Sequence, residues 1–565
     1  MSKYTIGVDY GTLSCRAVLV DIKSGKEIAT AIKEYPHSVL DEYLPDQKTR
    51  LEHDWALQYP TDYIESLQFV IPEVLKEAKV AAHDVIGIGL DFTSCTMLPI
   101  DEYGTPLCLT EKFKDNPHSY VKLWKHHAAQ KEADRLNKIS EEHSEAFLQR
   151  CGGKISSEWM IPKIWQILNE APEIYDAAHH FVEAGDWVVF QLTGELTRNS
   201  CAAGYKAMWN KRNGYPSSKF LKSLDPRLEN VISEKLSSKI SPIGAKAGEL
   251  TKKAALFTSL NPGTAVATAI IDAHAALFGL GVTEPGKLVM SMGTSTCHIL
   301  LDKEEKIVPG VVCVEDGVVP GYVGYEAGQA CVGDHFQWFV ENCVPSEYFR
   351  EAEAKRIDIY RLLTEKASRL NPGESGLLAL DWWNGNRTTL VDADLTGVII
   401  GTTLSTKPEE IYRALVEATA YGTRIIVEAF REHGVSIDEV YACGGLTKSD
   451  LVMQIYSDVL NMNIHISASS QATGVGVAML GAIAAGEHNG GYNTIDEAAK
   501  KMGRVKEEFY RPKPENVTVY GELFNEYRRL YEYFGRENHV MKNLKRIKKR
   551  NNGEKRNGYI INGTV

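Results

Sequence analysis

The sequence predicts an α/β protein made of two related halves. The stretch GTLSCR at 11–16 has a near copy, GTSTCH, at 293–298. Each copy follows an apolar, strand-like run (Tyr4–Val8; Lys287–Met292) and precedes a second run that ends in aspartate (Ala17–Asp21; Ile299–Asp302). Elsewhere strand-like and helix-like segments alternate, the pattern of a largely parallel sheet. A tight Gly-Thr turn between two strands is a hairpin whose amides and hydroxyls can face an anion. Two such hairpins predict two lobes closing on one phosphate chain, that is, a nucleotide-binding cleft between domains.

Each element has its own warrant. Residues 4–21 read as the first hairpin. Apolar positions in 55–78 recur at helical spacing, and Val85–Leu90 reads as a short buried strand. Asp91-Phe-Thr-Ser-Cys-Thr follows it, where open α/β sheets place ligand-binding loops. Residues 120–150 and 158–170 read as helical, and Trp187–Leu192 continues the alternation. Ala265–Ile271 is a predicted strand delivering Asp272 to an Ala-rich helix. The pattern restarts at Gly286, with a boundary near 280–286. A helix over 408–433 then leads to strand Glu439–Cys443, helix Ser449–Leu460, strand Ile464–Ser467 and helix Val475–Ala485. The expected domains are 1–281 and 282–545, followed by a basic, solvated tail at 546–565.

The 565 residues exceed what one core holds. A composition of 44% hydrophobic and 24% charged residues is that of an ordinary globular protein. A net charge of −11 offers no basic surface, so neither nucleic acid nor an anionic membrane is an expected partner. No apolar run reaches the roughly 20 residues of a spanning helix, and MSKYTIGVDYG has no signal-peptide core. Ten cysteines without a CxxC argue against a zinc site or redox pair and read as reduced, mostly buried thiols. Cys15 and Cys297, matched in the two hairpins, read as packing residues. A cytoplasmic location is the expectation.

The candidate chemistry sits at few positions. Asp9 ends the first strand two residues before Gly11-Thr12. A carboxylate there repels phosphate unless a divalent cation intervenes, which suggests Mg²⁺; a turn-initiating Asp bonded to its own backbone is the alternative. No GxxxxGK[ST] is present, so phosphate contacts fall to the turns: Gly11 and Thr12 in one, Gly293, Thr294 and Ser295 in the other. Gly444-Gly445 stands at a strand-to-helix junction, followed by Ser449-Asp450 as a capping pair. It would admit an adenine or ribose close to the backbone, or serve as a plain βα turn. Asp272 opens a helix and reads either as its N-cap or as a general base drawing a proton from a substrate hydroxyl. Lys206 and Glu326 read as polyol hydrogen-bonders or as surface charges. His126-His127, adjacent on an expected helix, would face different directions and make a poor metal pair.

The chain resembles the FGGY carbohydrate kinases of the actin/Hsp70-like (ribonuclease H-like) ATPase superfamily. GVDYGT at 7–12 matches the family's first phosphate motif, SMGTSTCH at 291–298 the second, and ACGGL at 442–446 its adenosine motif. Longer strings, KLWKHHAA (122–129), GGKISSEWMIPKIWQI (152–167), GYKAMW (204–209), GYEAGQ (324–329) and ALDWWNGNR (379–387), are similar to the subgroup acting on L-ribulose. The resemblance spans 3–545. It implies ATP- and Mg²⁺-dependent phosphorylation of the terminal hydroxyl of L-ribulose, giving L-ribulose 5-phosphate in L-arabinose breakdown. It further implies Asp272 as catalytic base and Asp9 as the metal-associated carboxylate. Sugar contacts would fall on Ser94 and Cys95 of the Thr93-Ser94-Cys95 loop, on Lys206, Asp272 and Glu326, with Trp124 and Lys125 adding to the wall. A homodimer is left open. Leu13, Cys15, Ile270-Ile271, LTKSD at 446–450 and TGVGVAML at 473–480 depart from the family pattern, chiefly near the nucleotide. The rival readings are a kinase for D-ribulose, ribitol or L-xylulose, and a non-kinase ATPase of the same fold.

Overall fold

A computed structural model describes residues 2–237 and 239–561. The chain forms two compact units, one of Met1–Val289, Ile299–Glu326 and Ser467–Glu507, the other of Met290–His298, Ala327–Ile466 and Glu508–Val565.

The first unit is organised by a seven-stranded sheet. Its strands are β1 (Tyr4–Tyr10), β2 (Ser14–Asp21), β3 (Glu27–Glu34), β4 (Val85–Phe92), β5 (Lys246–Glu249), β6 (Ala265–Ala267) and β7 (Ile270–Ile271). The order is β3-β2-β1-β4-β6-β5, with β7 also beside β4. β1 to β3 form an antiparallel meander, while β4 runs parallel to β1, β6 and β7. Side chains of β1, β2 and β4 make a core with helix α1 (Thr61–Ala78), in which Ile6, Val8, Tyr10, Leu67, Val70, Ile88 and Leu90 are wholly buried. Tyr10 stacks on Phe92 at 4.8 Å between ring centres, fixing the ends of β1 and β4 side by side.

Helices α2 (Ala184–Thr193), α3 (Ser200–Ala207) and α4 (Asp272–Gly279) also belong to this unit. A second seven-stranded sheet comprises β8 (Gly286–Met292), β9 (Thr296–Asp302), β10 (Val312–Glu315), β11 (Val323–Gln329), β12 (Ile437–Cys443), β13 (Ile464–Ser467) and β14 (Val505–Tyr510). Its order is β10-β11-β9-β8-β12-β13-β14. Helices α5 (Gly333–Cys343), α6 (Pro408–Glu432) and α7 (Asp450–Leu460) fall in the second unit.

Helix α8 (Ala472–Ala485) lies on β1 and β4 of the first unit and also against α4. Glycines permit that approach: a Cβ on Gly7 would stand 1.8 Å from the Gly474 carbonyl oxygen, and one on Gly89 1.9 Å from that of Val477. No real Cβ tolerates either distance, so any side chain at these positions would force the helix off the sheet.

Several expected elements shift. The helix expected over 55–78 begins at Thr61, because Leu57–Gln58 is used as an edge strand pairing with Val121–Lys122. The 120–150 helix divides into Gln130–Glu142 and Phe147–Arg150, and 124–125 form a turn. His126 and His127 therefore lie on a loop rather than a helix. Ala265–Ile271 breaks into β6 and β7 because Thr268 turns aside, its N–H donating to the Ala245 carbonyl at 2.9 Å and its hydroxyl to that of Pro242 at 3.0 Å. Helix Val540–Ile561 enters the segment expected as a tail, whose last four residues lie outside the described residues.

Candidate active site

The acidic centre of the first unit follows from strand register. β1 and β4 run parallel with Asp9 opposite Asp91, and Ile270 of β7 lies on the other side of Asp91, two residues before Asp272. Three carboxylates thus gather at the C-terminal edge of parallel strands, where such sheets present their ligand sites. Asp9 is buried, and the Arg16 guanidinium beside it donates at 3.4 Å. Asp91 is wholly buried and neither of its oxygens receives a donor. Burial, then the charges of Asp9 and Asp272, push its carboxyl well above the ordinary range.

Asp272 occupies the first position of α4, where its Oδ1 accepts from the Ala273 N–H at 2.7 Å. It keeps some open surface yet sits deep in the surrounding protein. Burial foremost, with Asp9 and Glu326 adding repulsion, raises its carboxyl to about 7, against the lowering effect of Lys206 and the Ala273 amide. A carboxylate poised there is matched to accepting a proton near neutral pH. The N-cap position falls to Ile271, so Asp272 is the first residue of the helix rather than its cap; one of its oxygens accepts from the next amide, and the other receives no hydrogen bond among the described residues.

Lys206 and Glu326 are not surface charges. Lys206, in α3, is buried and donates to Glu326 Oε1 of β11 at 2.6 Å. The other oxygen, Oε2, is 3.3 Å from Nε2 of His274, one turn's edge along from Asp272. Burial lowers the His274 imidazole to about 4, so it is neutral at pH 7. A buried ion pair offers a polyol both a donor and an acceptor of fixed position.

The remaining wall is braced by Lys163, wholly buried in the helix Met160–Glu170. Its ammonium donates to the carbonyls of Cys95 at 2.6 Å and Leu123 at 2.9 Å, tying the 93–95 loop to the turn holding Trp124. Cys95 adopts a positive φ of 51°, and burial pushes its thiol up, away from thiolate chemistry. Ser94 is half-buried. The Trp124 indole donates to the Thr12 hydroxyl at 3.0 Å, so the turn holding Trp124 and the first glycine turn share a bond. Lys125 is half-buried and makes no ion pair among the described residues. His126 is buried and bonds Gln166 at 3.0 Å, a packing role, while His127 faces outward.

In the first turn the Gly11 N–H donates to the Ser14 carbonyl at 3.0 Å, and Gln58 donates to the Thr12 carbonyl at 2.7 Å. In the second unit, Gly293 donates to Ser295 at 2.9 Å, while the amides of Val332 and Gly333 hold the carbonyls of Thr294 and Gly293 at 2.8 and 3.0 Å. Gly444 has φ of +99°, and a Cβ there would stand 2.3 Å from the Met292 carbonyl oxygen. Gly445 faces open space, so a ring could lie against its backbone. Gly293, Thr294, Ser295, Gly444 and Gly445 therefore cluster at the ends of β8 and β12 in the second unit. Asp9, Gly11, Thr12, Ser94, Cys95, Trp124, Lys206, Asp272 and Glu326 belong to the first unit.

Sequence reasoning placed Asp91 at the head of a ligand-binding loop without giving it a role, and passed over Lys163 and His274. Asp91 carried a signal, an acid closing an apolar strand just as Asp9 does. Lys163, a lone lysine within an apolar helical run, carried a weaker one. His274 carried none apart from its nearness to Asp272.

The two halves match family models described as the N-terminal domain (residues 4–279) and the C-terminal domain (residues 288–485) of the FGGY family of carbohydrate kinases. Over 538 residues the chain is 59% identical to a protein of Bacillus licheniformis named ribulokinase, covering 95% of this chain and 98% of that one. A ribulokinase of Geobacillus thermodenitrificans is 60% identical over 549 residues, 97% of each chain. Among solved structures, xylulose kinase from Rhodospirillum rubrum shares the fold with a TM-score of 0.75 at 22% identity, over 94% of this chain and 98% of that one. Gluconate kinase from Lactobacillus acidophilus does so with 0.78 at 17%, over 95% and 99%. The two-domain α/β architecture expected from the sequence is the one these kinases share.

Proposed function

We propose that this chain, which belongs to the FGGY family of carbohydrate kinases, transfers the terminal phosphoryl group of ATP to the terminal hydroxyl of L-ribulose. The product is L-ribulose 5-phosphate, an intermediate of L-arabinose breakdown. The observation that carries the reading is the Asp272 carboxyl, held at about 7 beside the buried Lys206–Glu326 pair. The relatives named ribulokinase favour a ribulose over xylulose and ribitol, and the choice of the L form rests on the resemblance of the longer sequence strings.

Sugar hydroxyls accept from Lys206 and donate to Glu326, with the 93–95 loop and Trp124 closing the wall. Asp272 takes the proton of the attacking hydroxyl as its oxygen bonds to phosphorus. Placing that oxygen in line with the leaving group is most of what such a reaction demands. Each glycine-threonine turn presents amides and a hydroxyl to phosphate oxygens, and Gly444-Gly445 gives the adenosine a backbone surface.

The residues fit a divalent cation. Asp91 has two oxygens without donors beside Asp9, a hard-oxygen set short of positive charge. Mg²⁺ is the cation proposed, one that keeps water and phosphate ligands beside one or two carboxylates. Asp9 would hold it, and when bound it supplies neutralising charge at the phosphates. The cytoplasm remains the expected setting, and a homodimer stays open. No described helix is long and apolar enough to cross a membrane.

The experiment is mass spectrometry of products from Mg·ATP with L-ribulose, D-ribulose, L-xylulose and ribitol in parallel. A monophosphate formed fastest from L-ribulose supports the reading. ADP released without any phosphosugar overturns it.

A further inference from the structure

Away from the acidic centre, the first unit contains a cavity of about 240 Å³ between strand His180–Glu183, helix α2, the loop before α3 and the turn ending at Leu236. Its lining includes His180, Asp186, Leu196, Thr197, Arg198 and Leu236. Two of these are buried charges left partly unanswered. Arg198, 4% exposed, uses Nε to donate to the Tyr215 hydroxyl at 2.6 Å, while its Nη2 finds no acceptor. Asp186, 1% exposed, accepts from Asn199 at Oδ1 at 2.9 Å, while Oδ2 finds no donor. The two do not form an ion pair with each other. The Thr197 hydroxyl and His180 Nδ1 are also without partners. Buried polar groups are ordinarily satisfied, so four orphans around one cavity indicate something that fills it.

The chemistry of the lining restricts the occupant. An anion would answer Arg198 and be repelled by Asp186, and a cation would meet the reverse. A hydroxyl accepts from one and donates to the other, and a run of hydroxyls does so along the whole wall. Leu196 and Leu236 supply an apolar face for a carbon chain. The volume is below the roughly 300–1,000 Å³ of ordinary ligand pockets. We propose that this cavity is an accessory binding site for a small neutral polyol of about pentitol size, distinct from the Lys206–Glu326 site.

It is also wired to that site. Asn199 caps α3, its Oδ1 accepting from the Ala202 N–H at 2.7 Å, and its amide is held by Asp186. The helix thus anchored carries Lys206. An occupant bonded to Asp186 Oδ2 grips the carboxylate that fixes the start of this helix.

Equilibrium dialysis of the full chain against labelled ribitol counts bound equivalents. Wild type should bind one equivalent more than Leu196→Trp, which fills the cavity from its half-exposed rim. That equivalent should survive in Lys206→Ala and weaken about tenfold in Thr197→Val, which keeps the shape and removes a hydroxyl. Equal binding by wild type and Leu196→Trp, as from a cavity holding only water, overturns the proposal. So does loss of all ribitol in Lys206→Ala, or displacement of the extra equivalent by acetate. None of these outcomes bears on whether the enzyme phosphorylates L-ribulose, which product analysis decides separately.

Discussion

The two glycine-threonine turns share a sequence and differ in what holds them. The turn at 11–14 is braced by side chains reaching in from afar: Gln58 and Trp124 on Thr12, and the Tyr35 hydroxyl donating to the Gly11 carbonyl at 3.1 Å. The turn at 293–295 is braced by backbone amides at the start of α5. The strand residue before each turn differs too. Asp9 is the last residue but one of β1, and Ser291 stands at the matching place in β8. Beyond the bend, Arg16 is half-exposed and paired with Asp9, whereas its counterpart His298 is wholly buried. The repeated turn is therefore common to both copies, while the carboxylate beside it is confined to one. Sequence similarity between halves marks a common binding task, and the departures mark the division of labour.

That comparison can be broken at several points. Asp272→Asn keeps the bond from Ala273 and removes the base, so turnover should fall by about 10²–10⁴ while sugar affinity stays near wild type. Its thermal midpoint should rise, because one of three mutually repelling carboxylates is neutralised. Single-turnover kinetics with a melting curve checks both, and undiminished turnover would remove Asp272 from the chemistry. Asp9→Ser makes the first hairpin resemble the second. It should cost about 10²–10³ in kcat and raise the Mg²⁺ requirement, whereas Ser291→Ala should do neither.

Acidity sharpens the contrast further. A base must be deprotonated to act, and Asp272 is raised to about 7 by burial and by Asp9 and Glu326. The rate constant kcat/KM should therefore fall about tenfold per unit as pH drops below 7 and level off above it. Asp9→Ser, by removing a neighbouring negative charge, should move this limb to lower pH. The smallest effect is expected of Trp124→Phe, which frees the Thr12 hydroxyl. One lost hydrogen bond should raise the KM for ATP by about two- to tenfold, with no counterpart in the turn that helix amides brace.

The sequence made some of this visible and hid the rest for identifiable reasons. Apolar runs ending in an acid or a glycine turn located β1, β4, β8 and β12; β1, β4 and β8 are buried along nearly their whole length, and β12 is buried toward its end at the glycine pair. The helix start at Thr61 was obscured because Trp55, Leu57 and Tyr59 alternate at a strand's period of two, serving an edge strand and its flanks, but run straight into the apolar positions of the helix. The destination of α8 could not be read at all. It is apolar around its whole circumference, so no periodicity points to a face. The pairing of Lys206 with Glu326 spans 120 residues and has no local trace. By contrast, the places of Asp9, Asp272 and the glycine turns were legible, because each stands where an apolar run gives way to a turn or a helix.

The place of α8 on β1 and β4 has a consequence for biosynthesis. Gly7 and Gly89 emerge early from the ribosome, but the helix that covers them is translated only after residue 472. The amino-terminal sheet must wait, one apolar face uncovered, through some four hundred codons before its last layer arrives. Contacts of such long sequence separation are slow to form, and a nascent chain in this state invites chaperone attention. Truncating the message anywhere upstream of α8 should therefore yield insoluble product rather than a folded amino-terminal fragment.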